Sequence, residues 1–154
     1  MENHQYHLAQ LNIARMRAPM EDTVMQGFVS QLEAIYAVAE SASGFVWRLK
    51  AEDFISSPVR AAGDARLIVT MSVWESVEAL HDYVYGSAHM NPLRNRGEWF
   101  EKIDGPGMAL WWIPQNSLPR VEQGMARLKY LQRHGPTAFA FTFNERFPPP
   151  VKSV

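Results

Sequence analysis

His89 is the side chain best suited to acid–base or metal chemistry in this sequence. It sits in Gly86-Ser87-Ala88-His89-Met90-Asn91-Pro92, an interruption between two helical stretches where a side chain can turn toward a cavity. Its imidazole is able to act as a general base, or as an axial haem ligand through one ring nitrogen. The plainer alternative is a capping or buried, hydrogen-bonded histidine. His81, eight residues earlier, lies on an amphipathic helix and reads as solvated, and His4 and His7 stand three apart in a polar N-terminus, a poor metal signature. Arg48, between Trp47 and Leu49, is a strand arginine placed to point into a cleft. Arg94 and Arg96 cannot share one face of a regular helix and read as a solvated surface, with Trp99 beside them as a further substrate-binding candidate. The sequence holds no phosphate-binding glycine loop, no Gly-x-Ser-x-Gly elbow and no His-Glu-x-x-His pair.

The elements that must position these groups follow from periodicity. His7–Ile13 alternates as a strand, with Ala9, Leu11 and Ile13 on one face and Leu8, Gln10 and Asn12 on the other. Thr23 and Gln26 have capping-box spacing ahead of Val24, Phe28, Leu32, Ile35, Tyr36 and Ala39, which predicts a helix to about Ser41. Phe45–Leu49 and Leu67–Trp74 are strands, and in the second Ile68, Thr70, Ser72 and Trp74 share a face. Ser76 caps a helix bearing Val77, Leu80 and Val84. Asn91-Pro92 restarts a helical turn carrying Leu93, Trp99, Phe100 and Ile103. Met108–Ile113 is a strand, and a further helix spans about Arg120 to Arg133. Phe139, Phe141 and Phe143 alternate as one more extended segment before Pro148-Pro149-Pro150.

The order β-α-β-β-α-β, plus an extra C-terminal helix and an extended arm, is the split βαβ, ferredoxin-like arrangement of an α+β protein. Residues 1–137 form the domain with its C-terminal helix, and 138–154 the arm with its proline-rich end. With both helices on one face, the other sheet face is expected to be open and to carry Leu8, Gln10, Asn12, Ile68, Thr70, Ser72 and Trp74. That face is too apolar for water and too polar for a dry core. It suits a homodimer interface or a ligand cavity walled by Leu8, Ile68 and Trp74, with Thr70 and Ser72 among its polar groups. The plainer reading is that the hydroxyls and amides satisfy nearby backbone groups while Trp74 packs on a partner subunit.

Composition bounds the rest. The chain has 154 residues and no cysteine, which excludes disulfides, thiolate metal sites and cysteine nucleophiles. Fifteen basic and sixteen acidic residues, interspersed, give no electrostatic footprint for nucleic acid or an anionic membrane. Met1–His7 lacks the apolar run of a signal peptide, and the longest apolar run, Met108–Pro114, is far short of the ~20 residues a membrane helix needs. A cytoplasmic protein is expected.

Val73-Trp74-Glu75-Ser76-Val77-Glu78-Ala79-Leu80, followed by Ser87-Ala88-His89, resembles a recurrent stretch of the dimeric α/β-barrel superfamily. Antibiotic-biosynthesis monooxygenases and haem-degrading monooxygenases carry related stretches. The chain is still more similar to a bacterial family of unknown function, through Ser87-Ala88-His89 with Glu98-Trp99-Phe100, Trp111-Trp112, Phe141-Thr142-Phe143 and the triple proline. The superfamily resemblance implies a homodimer with a shared β-barrel and a small-molecule ligand. Asn12, Tyr83 and His89 echo the order of an Asn, an aromatic and a His in haem-degrading members, with Tyr83 where those have Trp and His89 several residues early. For cofactor-independent monooxygenases the resemblance implies Asn12 as an oxyanion stabiliser, Trp74 and Tyr83 shaping the pocket, and a substrate anion that reacts with oxygen itself. The leading functional expectation is a small enzyme acting on an aromatic or polyketide-like compound with no cofactor. The alternatives are a haem-binding protein using His89 and a non-catalytic, small-molecule-binding or stress-associated dimer.

Overall fold

A computed structural model describes residues 5–50, 53, 66–86 and 99–150 of the chain. Its centre is β1 (Tyr6–Met16), an eleven-residue strand that pairs on both sides. On one side lies β3 (Leu67–Trp74), antiparallel with Leu8 opposite Trp74 and Gln10 opposite Ser72, and beyond it β2 (Phe45–Arg48). On the other side β5 (Met108–Pro114) runs antiparallel along Tyr6–Asn12. The order β2-β3-β1-β5 with all neighbours antiparallel is the ferredoxin-like order expected from βαββαβ.

β1 outruns β5. Past Asn12, the Ile13 amide donates to the Gly107 carbonyl (2.8 Å), and β4 (Phe100–Glu101) then pairs with Arg15 and Met16. Phe100, expected on a helical turn, is thus a strand residue. An unpaired stretch of central strand carries backbone groups that need partners, and Phe100–Glu101 supplies them.

The helices follow the sequence with one break. The Asp22 carboxylate accepts from the Val24 amide (3.0 Å) and starts a 3-10 turn, Thr23–Met25, one residue ahead of the expected Thr23 cap. A short helix α1 (Gln26–Val29) follows, then α2 (Leu32–Ser41). The Ser30 hydroxyl donates to the Gly27 carbonyl (3.0 Å), a local bond that competes with the helical ladder where the two separate. The Ser76 hydroxyl accepts from the Ala79 amide (3.1 Å) and caps α3 (Val77–Tyr85), as expected. Ser76→Ala should cost ~1 kcal/mol of stability, read from a urea melt, with the slope of the transition unchanged. The last helix, α4 (Val121–His134), ends at Gly135 with a φ of 78°.

The layering corrects the sequence-based expectation. The face with Leu8, Gln10, Ser72 and Trp74 is not open: α1, α2 and α3 lie on it. The odd face (Ala9, Leu11, Val69, Met71, Val73, Ala109 and Trp111) is covered by α4 through Val121, Leu128 and Leu131. Trp74 is 0% exposed within the single chain, so its burial requires no partner subunit. The alternation separates two faces of each strand, but both carry enough apolar surface to attract a helix.

The arm closes the far edge. Leu110 and Phe141 exchange two backbone hydrogen bonds of 2.9 Å, and Phe141 is fully buried beside Leu8 and Trp74. The Trp112 indole donates to the Phe147 carbonyl (2.8 Å). Phe139–Phe143, expected to be extended, pairs only at Phe141, because Thr137–Ala140 is a turn closed by mutual backbone hydrogen bonds. Covering β5 in this way protects a sheet edge.

Candidate active site

On the face covered by α1, α2 and α3 the sheet holds two apolar clusters. One gathers Leu8, Trp74, Val77, Leu80, Leu110 and Phe141; the other gathers Met16, Met25, Phe28 and Trp99, with Leu32 and Ile68 packed against it. Between them the strands place polar residues. Gln10, Ser72 and Arg48 stand in one register row across β1, β3 and β2, and Asn12 and Thr70 form the next row. The band grades from closed to open: Gln10 is 6% exposed and Ser72 8%, Asn12 is half-buried and Thr70 exposed.

The closed end is wired through Ser72. Its Oγ accepts from Gln10 Nε2 and from Trp74 Nε1, both at 2.8 Å. Gln10 Oε1, equally buried, has no hydrogen-bond partner. An unpaired buried acceptor costs ~1–3 kcal/mol, and among the described residues Arg48 Nε is the other buried side-chain atom without a partner.

Arg48 and the two tyrosines form the lid side. The Arg48 guanidinium lies 3.9 Å from the Tyr36 ring centroid, and its Nε is 3.7 Å from the Glu40 carboxylate. That Nε is buried and makes no hydrogen bond. Tyr83 stacks on Trp74 at 5.1 Å between centroids, while Phe45 meets the indole edge-on at 5.5 Å. Burial, aided by the neighbouring Tyr36, pushes the Tyr83 phenol up to about 12. Tyr83 is therefore a neutral donor at physiological pH, not a base.

That shift has a measurable sign. The unfolded phenol ionises near 10, so above it the unfolded chain releases a proton that the folded chain still holds. The stability contributed by neutral Tyr83 is complete below pH 10 and is lost as pH rises toward 12. In Tyr83→Phe this part of the alkaline loss should vanish from urea melts taken across that window. An identical slope in both proteins would place Tyr83 in ordinary solvent.

The structure thus brings together Asn12, Thr70, Ser72, Arg48, Trp74 and Tyr83 on one face of the sheet. It separates Trp99, which is buried in the second cluster with its ring 5.7 Å from Phe28. Trp74 is sealed in the first cluster and reaches the band only through its bond to Ser72. His89 lies outside the described residues, as do Arg94 and Arg96. Gln10 was absent from the sequence-based site set, although its signal was present: a long polar side chain at an inward register position between Leu8 and Leu11. Tyr36 had no such signal, being one of several apolar-stripe residues on its helix.

Haem would need a ligand facing this band. His7 alternates with Leu8 and so faces the opposite way, while His81 packs in a T-shaped contact with Phe143 (5.3 Å) and His134 against Tyr130 (4.3 Å). Among the described residues none of these histidines fits, and no group of three His, Asp or Glu side chains is placed to hold a metal ion. A separate surface groove of about 550 Å³ lies between the C-terminal end of α2 and α3, lined by Glu75, Glu78 and Asp82 together with Ser41, Gly44 and Tyr83. It touches the band only at Tyr83. No helix among the described residues is long and apolar enough to cross a membrane.

Comparison with the solved structure of PA3566 supports the fold. PA3566 from Pseudomonas aeruginosa superposes over 75% of this chain and 100% of its own, at 11% identity and a TM-score of 0.50. SnoaB, a cofactor-independent oxygenase from Streptomyces nogalater, covers 75% of this chain and 99% of its own, at 14% identity and a TM-score of 0.48. No curated protein sequence matches the chain. The pattern of one family, described as a domain of unknown function (DUF3291), matches residues 7–154, and the chain belongs to that family.

Proposed function

We propose that this protein is a small enzyme that binds a planar aromatic or polyketide-like compound in the polar band and oxygenates it without a cofactor. The observation that carries the reading is the band itself: polar side chains on a sheet face, closed at one end, bracketed by two aromatic clusters and covered by helices. Apolar walls with a few convergent polar groups are what a flat, hydroxylated ligand requires. The chemistry follows from the resemblance of Val73–Leu80 to monooxygenase stretches. A ring hydroxyl gives up its proton, the ring anion passes electrons to dioxygen and a C–O bond forms at a ring carbon that bears hydrogen. The O–O bond then breaks as that carbon loses its hydrogen, which leaves a carbonyl on the ring and releases the outer oxygen as water with that hydrogen and the proton given up earlier. Asn12 and Arg48 are the groups to steady the developing anion, with Tyr83 as a neutral donor and wall. His89 is the base in this proposal by residue type.

Oxygen uptake by the purified protein with hydroxylated polycyclic aromatics tests this. Uptake should saturate with substrate, and Asn12→Ala should lower kcat at least tenfold while leaving the melting curve close to wild type. No binding and no uptake across such compounds would dismiss the reading. A Soret band on adding haem, lost in His89→Ala, would replace it with haem binding. The homodimer rests on the superfamily resemblance alone, because the exposed Trp74 that motivated it is buried in one chain. Sedimentation giving a single species of 17.6 kDa would dismiss the dimer.

A further inference from the structure

Hydrogen-bond arithmetic at the closed end of the band specifies the group it receives. A serine hydroxyl has two acceptor sites and one hydrogen. Both acceptor sites of Ser72 are filled, by Gln10 Nε2 and Trp74 Nε1. Its hydrogen is left over, and among the described residues no acceptor takes it. Gln10 Oε1, on the same carboxamide as the Nε2 that donates to Ser72, is buried and unpaired. The unit therefore leaves one donor, on Ser72, and one acceptor, on the carboxamide bonded to it, without a partner. Inverting the Gln10 amide exchanges the roles but keeps the outcome: Oε1 then accepts the Ser72 hydrogen, Nε2 becomes the spare donor, and a lone pair of Ser72 the spare acceptor.

Trp74 fixes the geometry. Its fully buried indole packs against both Tyr83 and Phe45 and donates its one hydrogen to the Ser72 oxygen, which restrains that oxygen. Gln10 is on the central strand, paired on both sides, and more than nine-tenths buried. An anchor built on rigid elements is selective, because a ligand group that fails to match leaves buried atoms unpaired.

We infer that Gln10, Ser72 and Trp74 form a hydroxyl-reading anchor, which takes a protonated ring hydroxyl of the ligand as both donor and acceptor. An ether or an oxyanion can use only the donor and leaves the acceptor unpaired; a hydroxyl satisfies both. The inference rests on the ligand-binding part of the proposed function and adds the functional group by which the ligand is chosen. It also gives the anchor a place in the reaction: it holds a hydroxyl that stays protonated, so the proton lost in forming the anion leaves from a different position.

Calorimetric or fluorescence titration of the full-length protein at pH 7 tests it with two probes, 2-naphthol and 2-methoxynaphthalene. They share the ring system and differ in the hydrogen that reaches Gln10. The wild type should bind 2-naphthol at least tenfold more tightly, although the ether is the more apolar compound. Gln10→Met, close in volume, should bring the ratio near one while keeping the affinity for the ether. Ser72→Ala provides a second variant that removes the hub, and it should likewise erase the preference. Equal binding of both probes by the wild type overturns the anchor and leaves the pocket standing. So does a preference that persists in both variants. Failure of both probes to bind the wild type at all overturns the pocket and the anchor together.

Discussion

Removing residues 138–154 should leave a chain that does not hold its native fold. Phe141 is completely buried in the cluster that also seals Trp74 and Leu8, and Phe143 and Phe147 pack against the same cluster. Full burial of a side chain such as Phe141 contributes about 1.5–3 kcal/mol, the half-buried Phe143 and Phe147 add smaller amounts, and the two Leu110–Phe141 backbone bonds go with them. The summed loss is comparable with the ~5–15 kcal/mol total stability of a domain. The exposed edge of β5 would add an aggregation risk, since Met108–Pro114 is almost wholly apolar. The point variant isolates the packing term. Phe141→Ala should cost about 3–5 kcal/mol, which lowers Tm by on the order of 10 °C for a chain of this size. Phe139→Ala is the control, because that ring is 42% exposed and lies on Tyr130 and Arg127 at the surface. Thermal melts of the three proteins check this. An unchanged Tm for Phe141→Ala would mean that the arm does not dock in solution.

The arm also shows where sequence reading stopped. That its aromatic residues dock on the body was legible, because four phenylalanines near a chain end need cover. That Phe141 enters the core between α3 and β5 was not, since the contact joins residues over thirty apart and no local period encodes it. β3 was legible to the residue because Leu67–Trp74 alternates without interruption, and the cap at Ser76 because the hydroxyl stands immediately before an amphipathic run. The polar residues of the band were legible as a set on one face, because the period of two puts Gln10 and Asn12 on one side of β1 and Thr70 and Ser72 on one side of β3; which residue opposes which is set by the strand pairing. What the period cannot state is which face the helices choose. Both faces of β1 carry two or more large apolar residues, and the choice depends on how much surface each helix offers. Helix α2 buries only Ala39 fully, whereas α4 buries Val121, Gly124, Leu128 and Leu131. The longer apolar stripe takes the wholly apolar odd face, and the shorter helices are left over the mixed face. The polar band stays between them because its residues have no apolar area to trade.

The seating of α4 on the odd face makes the second large effect, at Gly124. A Cβ at this position would fall 2.5 Å from Leu11 Cδ1 and 3.2 Å from both Leu11 Cβ and Trp111 Cη2. Leu11 and Trp111 are buried beneath the helix, so neither can swing into solvent to make room. Glycine in a helix interior costs about 1 kcal/mol relative to alanine, and here it permits the helix to approach the sheet at contact distance. Gly124→Ala sets that propensity gain against crowding of about 1–3 kcal/mol, and the net change should be a loss of about 1 kcal/mol. Gly124→Val adds two further methyl groups with one preferred side-chain rotamer, and it should lose about 3 kcal/mol, or on the order of 10 °C in Tm. The even face is untouched by this change, so ligand titration of the folded Gly124→Val fraction should give the wild-type affinity. Intrinsic fluorescence should report the loosening through Trp111, which lies against the new side chain. A Gly124→Val protein as stable as the wild type would show that α4 does not sit on this face in solution. The odd face would then be free to pair with a second copy, and sedimentation of the same sample would find the doubled mass.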